Sequence, residues 1–393
     1  MKLRFLLAFL VVLFVYMSAK PVDIPVSREL SELQFVRVMG CDSEPDGTVT
    51  LSCSVSALST DKQDKALMLR KNAPSLTEAA LKIETFTENT IFFGFNDFML
   101  LGEDAARSGL KQWLDYTERD MYQRLDTSLI VVKGGTAGSV VEAVAADGEP
   151  LSPRLDSMEE SFGSLPVPAH YSVREVLSQL ERVGCAICQA VELAPPEKGD
   201  ESTDREHPDG GGDKGKTMKP AGYAVFSEGR LAGFIDIDKL AAANILLDRK
   251  TIIPLTVDMP EGGRAALLMM KQETEYNPLY GKDELEKLSL DVELSLNLNE
   301  LINVSIPFDK ALAQIEEQVS EKIKDDIVGL LDKSQANGGD WFDLGHSVRY
   351  AKPYKWKYTD WKAQFPDLPI EVNVKTIISR TFEINRSMGE EDG

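Results

Sequence analysis

The chain has 393 residues, enough for two or three domains, and its 43 basic residues against 64 acidic ones leave a formal net charge of −21. That acidity is spread along the chain, and no clustered Lys/Arg stretch is long enough to track a phosphate backbone, which argues against nucleic acid as a partner. An apolar content of 43% is ample for real cores.

The first segment, MKLRFLLAFLVVLFVYMSAK, places Lys2 and Arg4 ahead of an unbroken apolar run from Phe5 to about Val15. A positive start followed by an apolar stretch signals export, so residues 1–19 read as a signal peptide or N-terminal membrane anchor. Ala19 is small but Met17 is not, so the cleavage pattern is half met.

Residues 20–196 form the first predicted unit. SRELSEL (27–33) reads as a short helix running into the strand QFVRVMGCD. Pro45-Asp46-Gly47 turns that strand into TVTLSCSVSA, whose alternation predicts the return arm of a hairpin. Cys41 and Cys53 lie on the two arms, and a disulfide is possible if the register sets them opposite one another. ALMLRKNA is another short strand, and a capping box from Ser75 to Glu78 opens the next helix. FMLLGEDAARSGLKQWLDYTERD predicts strand, glycine turn and helix. Here Glu103 and Asp104 stand at the helix N-terminus and would repel an anion. LIVVKGGTAGSVVEAV repeats the pattern without the spacing of a nucleotide loop. A second capping box, Ser172 to Glu175, starts SVREVLSQLERV, with Gly184 in the stop position before the strand CAICQAVEL. Cys185 and Cys188 make a CxxC, but it follows a helix and runs into a strand, whereas a redox pair needs a helix N-terminus to acidify its thiol.

Residues 197–219 form a charged, Gly-rich linker containing GGGDKGKT (210–217), which fits the phosphate-loop pattern G-x-x-x-x-G-K-[ST] at every position. That chemistry requires a buried strand before the glycines and a helix after them. Pro195 to Asp209 offers no aliphatic or aromatic strand, and Pro220 follows three residues after Thr217. A chance match in a tether is the better reading, and Asp236 in GFID is not a magnesium partner. No nucleotide and no cofactor is expected.

Residues 220–388 form the second predicted unit. YAVFSEGRLAGFI is its opening hairpin, followed by a helix around IDKLAAANILL and the strands TIIPLTV, RAALLMMKQE and LSLDVELSLNLNEL. In IPFDKALAQIEEQVSEKIKDDIVGLLDKSQANGG, Leu312, Ile315, Val319, Ile323, Ile327 and Leu330 recur at three- and four-residue spacing, predicting one long helix with a sheet-facing stripe. KPYKWKYTDWK (352–362) is the one basic-aromatic stretch, read as a helix with Trp356 and Trp361 in the core and its lysines solvated. The strand IEVNVKTIISRTFEI closes the unit. Strands mixed with helices and several hairpins predict an α+β fold with mixed sheets in two to three domains, not a doubly wound sheet. His170, His207 and His346 have no second ligand at metal spacing, and neither HExxH nor GxSxG occurs, so no catalytic, cofactor or metal residue is assigned.

Four of these segments, in order, resemble the Ger(x)C family of spore germination proteins, the C subunits of spore germinant receptors. SREL with VMGCDSEPDGTVTLSCSV is similar to the family's opening helix and first hairpin. FNDFMLLGEDAARSGLKQWLDYTERD with RLDTSLIVVKG is similar to its most recognisable N-domain segment. YAVFSEGRLAGFI and WKAQFPDLPIEVNVKTIISRT resemble the start and end of its C-terminal domain. Members carry a lipidated cysteine just ahead of the Arg-Glu-Leu helix. Here that place reads Ile24-Pro25-Val26 and no cysteine precedes Cys41, so no lipidation site is assigned. The resemblance implies three α/β-type domains and a non-enzymatic subunit at the outer face of the spore inner membrane, working with A-type and B-type receptor subunits. The alternative is an exported envelope binding protein for a small-molecule or cell-wall ligand, which a deep pocket with convergent polar groups would favour.

Overall fold

The Pro-Asp-Gly turn forms as its residues require. Gly47 takes a positive φ of 82°, and the Asp46 carboxylate accepts from the Thr48 backbone N–H at 3.0 Å. It joins β1 (Leu33–Ser43) to β2 (Val49–Ala57) in a computed structural model that describes residues 33–57, 67–87, 90–120, 123–146, 151–161, 167–195, 217–282 and 284–381. The expected signal or anchor at 1–19, the place of the absent lipidated cysteine at Ile24, nearly all of the 27–33 helix and residues 197–216 of the linker lie outside the described residues.

The first sheet has nine described strands in the order β3-β2-β1-β5-β6-β7-β8-β9, with the short β4 (Thr90–Phe92) pairing beside the start of β1. Its centre is parallel. β1, β5 (Phe98–Gly102), β6 (Ser128–Val132) and β7 (Cys185–Ala194) run side by side in one direction. β3 (Leu67–Ala73) extends it antiparallel at one end.

The central strands are apolar on both faces, the mark of a sheet buried on both sides. Alternate residues divide between two layers. Val38, Phe98, Leu100, Ile130 and Val132 face α4 (Ala137–Ala146) and α5 (Leu151–Glu160), whereas Met39, Cys41, Met99, Leu101, Leu129 and Val131 face the opposite core. That second layer is built by α1 (Leu76–Thr85), α2 (Glu103–Ser108), α3 (Lys111–Arg119) and α6 (Val173–Val183). The fold is α+β with mixed sheets, and the parallel centre is masked in the sequence by the hairpins at its two ends.

The expected boundary at the linker does not separate the sheets. β8 (Thr217–Ser227) pairs antiparallel with β7 along its whole length, and β9 (Arg230–Asp236) adds beyond it. The hairpin expected to open the second unit therefore completes the sheet of the first. Its two-residue turn, Glu228-Gly229, has φ of 50° and 74°, the positive pair that matches strand twist in a tight hairpin.

Beyond α7 (Leu240–Leu246) comes a four-stranded sheet, β10-β11-β12-β13, formed by Ile253–Asp258, Arg264–Tyr280, Leu285–Ile302 and Ile370–Thr381. β10, β11 and β12 are antiparallel, and β13 joins β12 in parallel. The long helix α8 (Phe308–Ala336) lies along β13 and buries Ile315, Val319, Ile323, Ile327 and Leu330, five of the six stripe residues, with Leu312 half-buried. Each such aliphatic side chain withdrawn from water contributes about 1.5–3 kcal/mol. After α9 (Leu344–Ala351), the basic-aromatic stretch forms two short helices, α10 (Pro353–Trp356) and α11 (Trp361–Gln364), not the one expected. Pro353 starts α10 at a position where its missing N–H costs nothing, and Asp360 caps α11. Trp361 is buried and Trp356 half-buried against it, with ring centroids 5.8 Å apart.

Candidate functional site

The glycine turn between β6 and α4 carries the backbone geometry that in other proteins binds phosphate, and two carboxylates of this chain occupy it. At the start of α4, Asp42 Oδ1 accepts from Ala137 N at 2.7 Å and Oδ2 from Gly138 N at 2.8 Å. Burial lifts the Asp42 carboxyl above its ordinary range, against the pull of these two N–H groups and of Arg70. The fit is close, since a Cβ on Gly102 would fall 2.1 Å from Asp42 Oδ1. From the first residue of α2, Glu103 reaches across to the same turn, accepting from Gly134 N at 2.7 Å, and pairs with Arg107. Burial raises the Glu103 carboxyl, but Gly134 N–H and Arg107 together hold it below the usual value.

Of GGGDKGKT, Thr217 is described, and it begins strand β8 opposite Ala194. A phosphate loop needs a helix N-terminus there.

The four cysteines are free thiols and buried. Cys53 stands opposite Met39, and Cys41 opposite Leu51, so the pair that could have bridged lies on a diagonal, two residues out of register. Burial drives the Cys41, Cys53 and Cys188 thiols far up in pKa, and that of Cys185 to about 11. Burial thus holds all four in the thiol form near neutrality, which disfavours the thiolate that nucleophilic or redox chemistry needs.

Titratable groups converge in a cleft of about 310 Å³ between the sheets, lined by α6, the start of β7, the end of α7, β11 and residues 340–347. Arg182 pairs with Asp343 at 2.5 Å, joining α6 to the start of α9. Arg249 lies 4.8 Å over the Tyr171 ring and 3.7 Å from Glu175. At the cleft's inner wall Asp340 is buried, accepting from Leu344 N at 2.9 Å, Gly345 N at 2.8 Å and Trp361 Nε1 at 3.0 Å. Burial pushes its carboxyl up to about 6, against those three donors. His346 lines the cleft and His170 is exposed elsewhere, while His207 is outside the described residues. Among the described residues no three His, Cys, Asp or Glu side chains gather as metal ligands. Arg182, Asp343, Arg249 and Glu175 pair with one another and Asp340 is held by N–H donors, as in a junction that fixes two sheets together. None of Arg249, Asp340 and Asp343 stands out in the sequence. The partners of Arg249 and Asp343 lie far away along the chain. Asp340, though its backbone donors are four and five residues on, meets Trp361 only through the fold.

A wider groove, about 1040 Å³, opens between α1 and α3 and the β4 region, lined by Leu76, Ala80, Ile91, Phe93, Trp113 and Tyr116 among others. Among its polar lining residues Arg119 pairs with Asp115 at 2.8 Å. It could shelter an apolar group or a partner's side chain. It lacks the convergent polar set of a small-molecule site.

Comparison with known proteins gives two family models in tandem. "Spore germination protein N-terminal domain" matches residues 26–193, and "Spore germination B3/ GerAC like, C-terminal" matches residues 221–382. Spore germination protein KC of Bacillus subtilis (strain 168) is 21% identical over 383 residues, covering 90% of this chain and 91% of that one. The crystal structure of the GerBC protein superposes with a TM-score of 0.50 at 16% identity, over 87% of this chain and 97% of that one. The likeness to GerBC is one of fold.

Proposed function

Because the chain belongs to the GerAC-like family of spore germination proteins, matched in both its N-terminal and C-terminal units, we propose that it is a non-catalytic C-type subunit of a nutrient germinant receptor. In this reading it works with an A-type and a B-type subunit at the outer face of the spore inner membrane, held there by partners or by the apolar segment at 1–19. The observation that carries the proposal is the ordered match of the two family units. The chemistry of the interior supports the non-catalytic part, since the carboxylates at the helix starts and in the cleft are engaged within the chain and the thiols are protonated. An envelope protein binding a small ligand by itself is less well supported, because the polar cleft is self-paired and the large groove is mainly apolar.

The test is affinity purification of the tagged chain from detergent-solubilised spore inner membranes, with mass spectrometry of what co-elutes. A- and B-type receptor subunits should accompany it. Recovery of the chain alone, from membranes in which those two subunits still co-purify with each other, would overturn the assignment.

A further inference from the structure

We propose that the segment Arg349–Lys362 is a docking surface for anionic phospholipid headgroups. Arg349, Lys352, Lys355, Lys357 and Lys362 fall within this stretch, opposed by Asp360, in a chain whose formal net charge is −21. All five basic side chains are exposed. Lys362 pairs with Glu228, whereas Arg349, Lys352, Lys355 and Lys357 have no ion-pair partner among the described residues.

Interleaved with these cations are three tyrosines that the fold leaves outside. Tyr350 is 85% exposed, Tyr354 85% and Tyr358 78%. They stand on a rigid base. Beneath them Trp361 is clamped by Asp340 and stacks with Trp356 and Phe365, and Thr359 Oγ1 lies 3.2 Å from the Tyr280 hydroxyl. The aromatic stretch is thus divided, its tryptophans facing the core and its tyrosines facing out.

Tyrosine and lysine have an apolar body and a polar tip, which suits the boundary between headgroups and acyl chains. A negatively charged leaflet attracts such a polybasic patch. The same leaflet repels the acidic remainder of the chain, so contact would occur in a single orientation. An acidic protein, including a second copy of this chain, would satisfy the lysines but gives no reason for three exposed tyrosines among them.

The assay uses the full chain carrying Tyr354→Cys, labelled with an environment-sensitive fluorophore. The four native cysteines are buried, so labelling is selective. Vesicles of phosphatidylcholine with and without phosphatidylglycerol contain no receptor partner, so the outcome is independent of the subunit assignment. The dye should shift to the blue on anionic vesicles, and raised salt should reverse the shift. Each lysine neutralised should raise the anionic lipid needed about fivefold, and all of Lys352, Lys355 and Lys357 together about a hundredfold. The K352E/K355E/K357E variant should lose the shift while keeping the parent's unfolding midpoint. No shift on anionic vesicles, an equal shift on neutral ones, or an unchanged shift in the charge-reversed variant would overturn the proposal. So would a shift that appears without vesicles and grows with protein concentration, which would mark an interface between copies.

Discussion

Trp361 Nε1 donates to Asp340 Oδ2 at 3.0 Å, so an indole and a buried carboxylate 21 residues apart lock the turn after α8 to the start of α11. The same carboxylate receives the first N–H groups of α9. It is dehydrated and held by three donors.

Burial raises the Asp340 carboxyl to about 6 in the folded chain, against roughly 3.9 when unfolded. Between those values the folded chain holds a proton that the unfolded chain has released. This group's contribution to stability therefore falls as pH rises from about 4 to 6, with a total on the order of 3 kcal/mol. Asp340→Asn has no such proton. In urea titrations, wild type should gain on the variant as pH is lowered from 7 to 4. A gap that stays constant with pH would refute the raised carboxyl.

Tyr223→Phe should destabilise the chain. The Tyr223 hydroxyl donates to Asn244 Oδ1 at 2.6 Å and accepts from Ala169 N at 2.7 Å, tying β8 to α7 and to the loop before α6. Its removal strands two buried partners, at about 1–3 kcal/mol each. Chemical denaturation measures the loss, and a change below about 0.5 kcal/mol would mean that water replaces the hydroxyl.

Gly222 has φ of 106°, and a Cβ there would fall 2.0 Å from the Ile235 carbonyl oxygen. Gly222→Ala should cost more than about 3 kcal/mol or prevent folding. Gly233→Ala, on the partner strand with open space around the added methyl, should stay within about 1 kcal/mol of wild type. Soluble yield and unfolding midpoints of the two variants check the contrast. Equal behaviour would show that β8 and β9 do not approach as described.

Magnesium ATP should leave the unfolding midpoint unchanged, and Lys216→Ala should behave as wild type. A true phosphate site saturated a hundredfold would add about 2.7 kcal/mol. A midpoint that rises with ATP in wild type and not in Lys216→Ala would revive the nucleotide reading.

Native protein should react negligibly with thiol reagents at pH 8, and all four cysteines should become reactive in denaturant without prior reduction. A Cys41–Cys53 linked peptide in a non-reducing digest of alkylated protein would show that the diagonal pair closes.

Local chemistry was legible from sequence. The Ser172–Glu175 capping box forms in both directions, Gly184 takes the left-handed stop at φ 73°, and the α8 stripe is buried almost residue for residue. Those signals act within one or two helical turns. At α1 half the expected box forms, because Ser75 caps Glu78 N while the Glu78 side chain goes to Lys82. What sequence could not convey is which distant strand a hairpin joins, or that Asp42 reaches the start of α4 across 95 residues. From sequence, Trp356 and Trp361 are expected in the core of a helix with solvated lysines. The outward tyrosines depend on a helix break at Lys352, where φ is −138° and ψ is 68°.

The pairing of β7 with β8 bears on how chimeras between relatives should be cut. A splice in the linker, natural as it looks from the family units, would hand the recipient a β7 whose hydrogen-bonding edge is bare and would send β8 and β9 away with a stranger. Bare apolar edges invite aggregation. The exchange point that respects the hydrogen bonds lies after Asp236, where β9 ends and the chain turns toward α7. Halves swapped there travel with a finished sheet.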